Sequence, residues 1–82
     1  MSLINRKIIL DTLIKHETLT IDDIGKQENL GISADPKQLK FLLSQLTTSG
    51  HIQILSGAEP ITYSITTSGI EEGERLKSGA TI

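Results

Sequence analysis

The order of the apolar patterns between residues 8 and 76 constrains the fold of this chain more than any other feature. Leucine and isoleucine recur at helical spacing in two early stretches, 8–14 and 21–30, and again over 39–46 before a stop at Gly50. Apolar and polar residues then alternate over 52–65, as they do in two half-buried strands. Helical spacing returns towards Leu76. The sequence therefore predicts three helices, a two-stranded hairpin and a last helix.

Length and composition restrict the class of protein. The 82 residues suffice for one domain, which we predict over 1–77 with a flexible tail at 78–82. The absence of cysteine excludes disulfides, thiolate nucleophiles and sulfur metal sites. No apolar run approaches the roughly 20 residues of a membrane span, and no signal-like segment is present at the start. We expect a cytoplasmic protein with no membrane partner.

The clearest helix signal is Asp35-Pro36-Lys37-Gln38. Asp35 suits the N-cap, Pro36 suits the first helical position, and Gln38 can complete a capping box. With Gly50 as a left-handed terminator, this predicts a helix over 36–49. Its four leucines would face the core. The opposite side would carry Lys37, Phe41, Ser44 and Thr48, flanked by Lys40 and Gln45.

The remaining helices carry weaker signals. A helix over about 4–16 would place Ile4 and Ile8 to one side of its core stripe, where they would contact either the last helix of the same chain or a second copy in a homodimer. Thr20 caps a helix predicted over 21–29, in which Gly25 indicates close approach of another helix.

The hairpin runs into a Thr-capped helix. Thr66 would cap this last helix, and its two glycines, Gly69 and Gly73, would weaken it.

Together these segments resemble the winged-helix regulators of the MarR and PadR type. The resemblance rests on Ile9-Leu10-x-x-Leu13-Ile14, Leu19-Thr20-Ile21-x-x-Ile24-Gly25, Leu39-x-x-Leu42-Leu43-x-x-Leu46-x-x-x-Gly50-x-Ile52 and Tyr63-x-Ile65-Thr66-x-x-Gly69. It implies a winged helix-turn-helix fold, mainly α with a small β-hairpin (α+β). The helix over 36–49 would be the recognition helix, residues 52–65 would form the wing, and the stretch before the recognition helix looks longer than in typical members.

The resemblance implies a dimeric transcriptional regulator that binds double-stranded DNA. Lys37 and Lys40 would contact phosphates, with Arg6, Lys7 and Lys15 as further candidates. Four polar side chains would face the bases: Gln38, Ser44, Gln45 and Thr48.

Phe41 is the unusual residue of the predicted recognition helix. An outward-facing phenylalanine can touch a thymine methyl group or anchor a protein partner, or it can be buried beneath the preceding turn. The sequence leaves these three interpretations open.

Charge supports an alternative function. The net charge is −2, and the predicted wing, 52–65, contains no lysine or arginine, whereas DNA-binding domains usually carry a basic excess. Residues 36–50 nevertheless carry two lysines and no acid. The alternative is a winged-helix interaction module or accessory subunit that binds protein through the Phe41 face or the Ile4/Ile8 strip.

No pattern indicates catalysis. His16 and His51 have no neighbouring ligands at metal-binding spacing, and the adjacent Glu71 and Glu72 diverge around a helix. No glycine-rich phosphate loop or nucleophile-and-base set is present. The sequence predicts a protein that is not an enzyme and needs no cofactor or metal.

Overall fold

Five helices and three strands follow one another in the computed structural model, which describes residues 4–31, 33–57 and 59–77. They are α1 (Arg6–His16), β1 (Thr18–Thr20), α2 (Ile21–Ile24), α3 (Gln27–Leu30), α4 (Pro36–Thr48), β2 (Ile52–Ile54), β3 (Thr62–Ile65) and α5 (Thr67–Lys77). This order confirms the predicted α+β winged-helix architecture. The tail predicted over 78–82 lies outside the described residues.

The sheet contains one strand more than the predicted hairpin. β3 lies between β1 and β2 and is antiparallel to both, so that Tyr63 stands opposite Leu19 on one side and Ile54 on the other. A two-stranded hairpin alone is marginally stable in water. The third strand therefore stabilises the wing and ties its base to the end of α1.

The prediction of one continuous helix over 21–29 is wrong, because the helix is interrupted at Gly25 and Lys26, which separate α2 from α3. The break has its own hydrogen bonds: the carbonyl of Asp23 accepts from the Lys26 N–H at 3.2 Å and from Asn29 Nδ2 at 2.7 Å. A Cβ added to Gly25 would lie 3.3 Å from Leu39 Cδ2, so α4 does approach here as predicted. The extra helix α3 accounts for the long stretch before α4.

The first helix begins two residues later than predicted. Asn5 takes the N-cap position, and its side-chain Oδ1 accepts a hydrogen bond from the Ile8 N–H at 3.0 Å. Ile4 consequently precedes the helix, and only 4% of its surface is exposed.

The core is formed by Ile4 and by apolar side chains of α1, α2, α3, α4, β2 and β3. Its buried members are Ile4, Ile9, Leu10, Leu13, Ile24, Leu30, Leu39, Leu43, Leu46, Ile52 and Tyr63. In α4, Leu43 and Leu46 are fully buried, Leu39 is nearly so, and Leu42 packs against the cluster. The predicted inward phase of the four leucines is confirmed, and it fixes which side of α4 faces outward.

The outer half of the wing is more exposed than its sequence pattern predicted. Ile52 is buried, but Ile54 and Ile61 are 51% and 50% exposed. Since alternate residues of a strand share a face, Ile54 continues the buried face of Ile52 beyond the helices that cover it. The predicted burial of one face of the hairpin is therefore observed at Ile52 and Tyr63 but not at Ile54 and Ile61.

Thr66 joins α5 to the base of the wing. Its Oγ1 accepts from the Gly69 N–H at 3.0 Å, which confirms the predicted cap. The same hydroxyl donates to the carbonyl oxygens of Gly50 and His51, at 2.7 and 2.9 Å. The start of α5 is therefore held against the turn that follows α4.

Candidate nucleic-acid interface

α4 is fixed at both ends and therefore presents its outward face on a rigid element. At the start, Asp35 Oδ2 accepts from the Gln38 N–H at 3.3 Å, with Pro36 in the first helical position. At the end, Gly50 adopts a left-handed conformation with φ 83°, and the His51 N–H donates to the Leu46 carbonyl at 3.0 Å. These caps confirm the predicted helix, which ends at Thr48.

The structure brings the predicted α4 residues together on one side of that helix. Gln38 is half-buried, and the other six are exposed: Lys37, Lys40, Phe41, Ser44, Gln45 and Thr48. We call these seven residues the α4 face. Phe41 is 60% exposed, so the interpretation that the preceding turn buries it is wrong.

The α4 face is locally positive. Lys37 and Lys40 are its charged residues, and no acid occurs between Pro36 and Thr48. Within residues 4–31, 33–57 and 59–77, neither lysine forms an ion pair. Lys37 also lies in the first turn, where the helix dipole favours an anion. An approaching phosphate would meet two cations whose charge is not already neutralised.

A groove of about 390 Å³ extends the α4 face towards α1. Its lining combines one guanidinium group with hydroxyl and amide groups: Arg6, Ser44, Gln45, Thr48 and Ser49. The sequence named Arg6 as a phosphate candidate but did not place it beside α4. Ser49 was not named as a site residue, because the sequence does not show that the end of α4 lies near Arg6. Ser49 is the C-cap of α4, and its Oγ is 2.7 Å from His51 Nδ1.

Glu72 of α5 holds Arg6 beside this groove. Its Oε2 lies 3.4 Å from Arg6 Nη2 and 2.6 Å from Arg75 Nη2, and Arg75 Nε donates to its Oε1 at 2.9 Å. The Arg75 hydrogen bonds lower the pKa of Glu72, and the positive charges of Arg75 and Arg6 lower it further. Lys7 and Lys15, the other phosphate candidates on α1, line a different groove that is shared with α5.

We expect Glu72→Gln to be less stable than the wild type at neutral pH and to approach it in acid. Because folding lowers the pKa of Glu72, its stabilising effect is complete above the unfolded pKa and is lost as the pH falls through the lower folded pKa. Thermal unfolding followed by circular dichroism between pH 7 and pH 3 measures the difference. Glu71→Gln, which removes an adjacent exposed carboxylate, is the matched control. A wild-type advantage that stays constant down to pH 3 would contradict this account.

Ile4 and Ile8, predicted as a dimer seam or as an intramolecular contact, lie against the body of their own chain. Ile4 belongs to the core, and Ile8 packs against it. The groove beside Ile4 is also lined by Leu42 of α4 and Leu76 of α5. This arrangement favours the intramolecular interpretation, and a homodimer contact at these two residues stays a prediction.

The described part of the chain offers neither a cluster of metal ligands nor a membrane-spanning helix. No group of three or more histidine, cysteine, aspartate and glutamate residues there is arranged to hold a metal ion. Within the same residues, every helix is too short or too polar to cross a membrane.

Comparison with known proteins identifies the fold. No family model and no curated protein sequence matches the chain. Among solved structures, the oxidized form of MarR from E. coli is similar, with a TM-score of 0.72 and 18% sequence identity over 89% of this chain. The chain has a MarR-like winged-helix fold. The resemblance seen in the sequence is thus confirmed at the level of the fold, and the matched region spans about half (51%) of that MarR chain.

Proposed function

We propose that this MarR-like chain is a DNA-binding transcriptional regulator that places α4 in the major groove. The observation that carries the proposal is the α4 face: a rigid, acid-free, outward surface with two lysines that form no ion pair within the described ranges. Helix-turn-helix proteins place the recognition helix in the major groove, and phosphate contacts supply much of their affinity. A regulator of this kind would act in the cytoplasm.

The α4 face divides into phosphate and base contacts by chemistry. Lys37 and Lys40 suit phosphates, and Arg6 offers a third cation beside the same helix. The amide and hydroxyl side chains suit base edges, because they both donate and accept hydrogen bonds in the major groove. These are Gln38, Ser44, Gln45 and Thr48.

Dimerisation would double this interface. A chain of 82 residues buries a modest fraction of its surface when it folds alone, so association would add stability. Two chains related by a two-fold axis would read two half-sites and place four α4 lysines on phosphates. We therefore expect moderate affinity for DNA and a moderate dependence on salt.

Removing both α4 lysines tests the proposal. Binding of Lys37→Ala/Lys40→Ala to a 30-bp duplex of mixed sequence should depend less on salt, because each phosphate contact contributes about −0.9 to the slope of log K against log[salt]. The slope should become shallower by about 1.8 for each bound chain. Fluorescence anisotropy between 20 and 300 mM NaCl measures it.

Lys77→Ala is the control, since it removes an exposed lysine that lines the groove between α1 and α5 and is not a phosphate candidate. It should leave most of the slope intact. If the wild type shows no salt-sensitive binding even at 20 mM NaCl, the regulator proposal fails. The acidic net charge and the absence of lysine and arginine from the wing would then favour the protein-interaction module.

A further inference from the structure

Phe41 is the one large apolar side chain at the centre of the α4 face. It is the sixth of the 13 residues of α4, and 60% of its surface is exposed, while Leu39 and Leu43 on the same helix are buried. Exposure of an aromatic ring on a helix whose core contacts are already complete does nothing for folding. A role in binding accounts for this position better than a role in stability.

The surroundings of Phe41 indicate the chemistry of its partner. Lys37 lies one turn before it, Lys40 adjoins it, and Ser44 lies one turn after it, all exposed. A protein hot spot is normally a cluster of apolar and aromatic groups that exclude water together. A single ring between cations and hydroxyls instead fits a partner that combines negative charge with a small, isolated apolar group.

The major groove of DNA offers that combination. Phosphates line its edges, and the C5-methyl group of thymine is the apolar group on its floor. Phe41 stands about 7.5 Å along the helix axis from Pro36, within the N-terminal half that recognition helices direct to base edges. We infer that Phe41 packs against a thymine methyl group and makes the chain prefer thymine at that position; this inference rests on the proposed function.

Deoxyuridine substitution isolates the methyl group. The preferred duplex is selected by the wild-type protein from a random 20-bp library, and it is then synthesised with thymidine or with deoxyuridine at every thymine position. The wild type should bind the deoxyuridine duplex about fourfold more weakly for each methyl group that it contacts, the effect of burying one methyl. Phe41→Ala should bind the two duplexes equally, whereas Phe41→Leu should keep part of the preference.

Ile70→Ala, which truncates an exposed apolar residue of α5, should keep the wild-type ratio of the two affinities. Equal wild-type affinity for the two duplexes, or a selection that enriches no sequence, overturns the inference but leaves the proposed function standing if salt-sensitive binding persists. If the wild type binds neither duplex, both the inference and the proposed function fail. Phe41→Ala could instead keep the wild-type ratio of the two affinities and self-associate more weakly, as measured by analytical ultracentrifugation. That result would assign the α4 face to contact between copies of the chain and would overturn the inference.

Discussion

Replacement of Leu43 by alanine should lower the free energy of unfolding by about 2–5 kcal/mol, whereas Phe41→Ala should change it by less than about 1 kcal/mol. The two residues lie two positions apart on α4, but Leu43 is fully buried and Phe41 is mostly exposed. Truncation of Leu43 removes contacts with the core and leaves a cavity. Truncation of Phe41 mainly removes surface that water already covers.

Urea unfolding followed by circular dichroism measures both changes. A domain of this length is stable by about 4–12 kcal/mol, so the Leu43 variant should lose a large part of its stability. If Phe41→Ala cost as much as Leu43→Ala, the ring would belong to the core. The assignment of the α4 face to DNA would then lose its geometric basis.

Gly69→Ala should lower the free energy of unfolding by about 1–3 kcal/mol or more, because it overpacks a contact made by backbone. The added Cβ would overlap the carbonyl oxygen of His51 and lie 2.7 Å from Ile65 Cδ1. That carbonyl is held by Thr66, whose Oγ1 donates to it at 2.9 Å, and cannot shift without loss of this bond. The start of α5 would have to move away from the turn after α4.

Gly73→Ala, on the same helix, is the matched comparison. Its added Cβ would lie 2.5 Å from Ile14 Cδ1, the far end of a flexible side chain that can rotate away. Alanine also gains about 1 kcal/mol of helix propensity over glycine, which offsets the adjustment. We expect a change near zero in the same urea experiment. Equal effects at the two glycines would show that α5 does not pack on the His51 carbonyl.

Helix propensity alone does not explain the two glycines of α5. In the sequence, Gly69 and Gly73 only weaken a predicted helix. In the structure, α5 packs against the His51 carbonyl at one glycine and against Ile14 of α1 at the other. The two glycines lower the helix propensity of α5, but their lack of a side chain allows α5 to pack closely against these neighbours.

Local signals predicted α4 almost completely. The Asp35-Pro36 start, the leucine phase and the glycine stop act within one or two helical turns, so the sequence contains all the information they need. The same reasoning placed the Thr66 cap and identified Gly25 as a point of close approach. The break in the helix at that glycine was not predicted, because it depends on hydrogen bonds specific to the folded turn.

The amino-acid sequence alone determined the winged-helix order and the side of α4 that faces the core. It did so through capping residues, which form short-range hydrogen bonds, and through apolar periodicity. Contacts between distant segments decided the rest: the pairing of β1 with β3, the place of Arg6 beside Ser44, and the exposure of Phe41. Strand pairing and solvent exposure depend on which remote parts of the chain come together. No local pattern encodes that choice, and tertiary packing alone makes it.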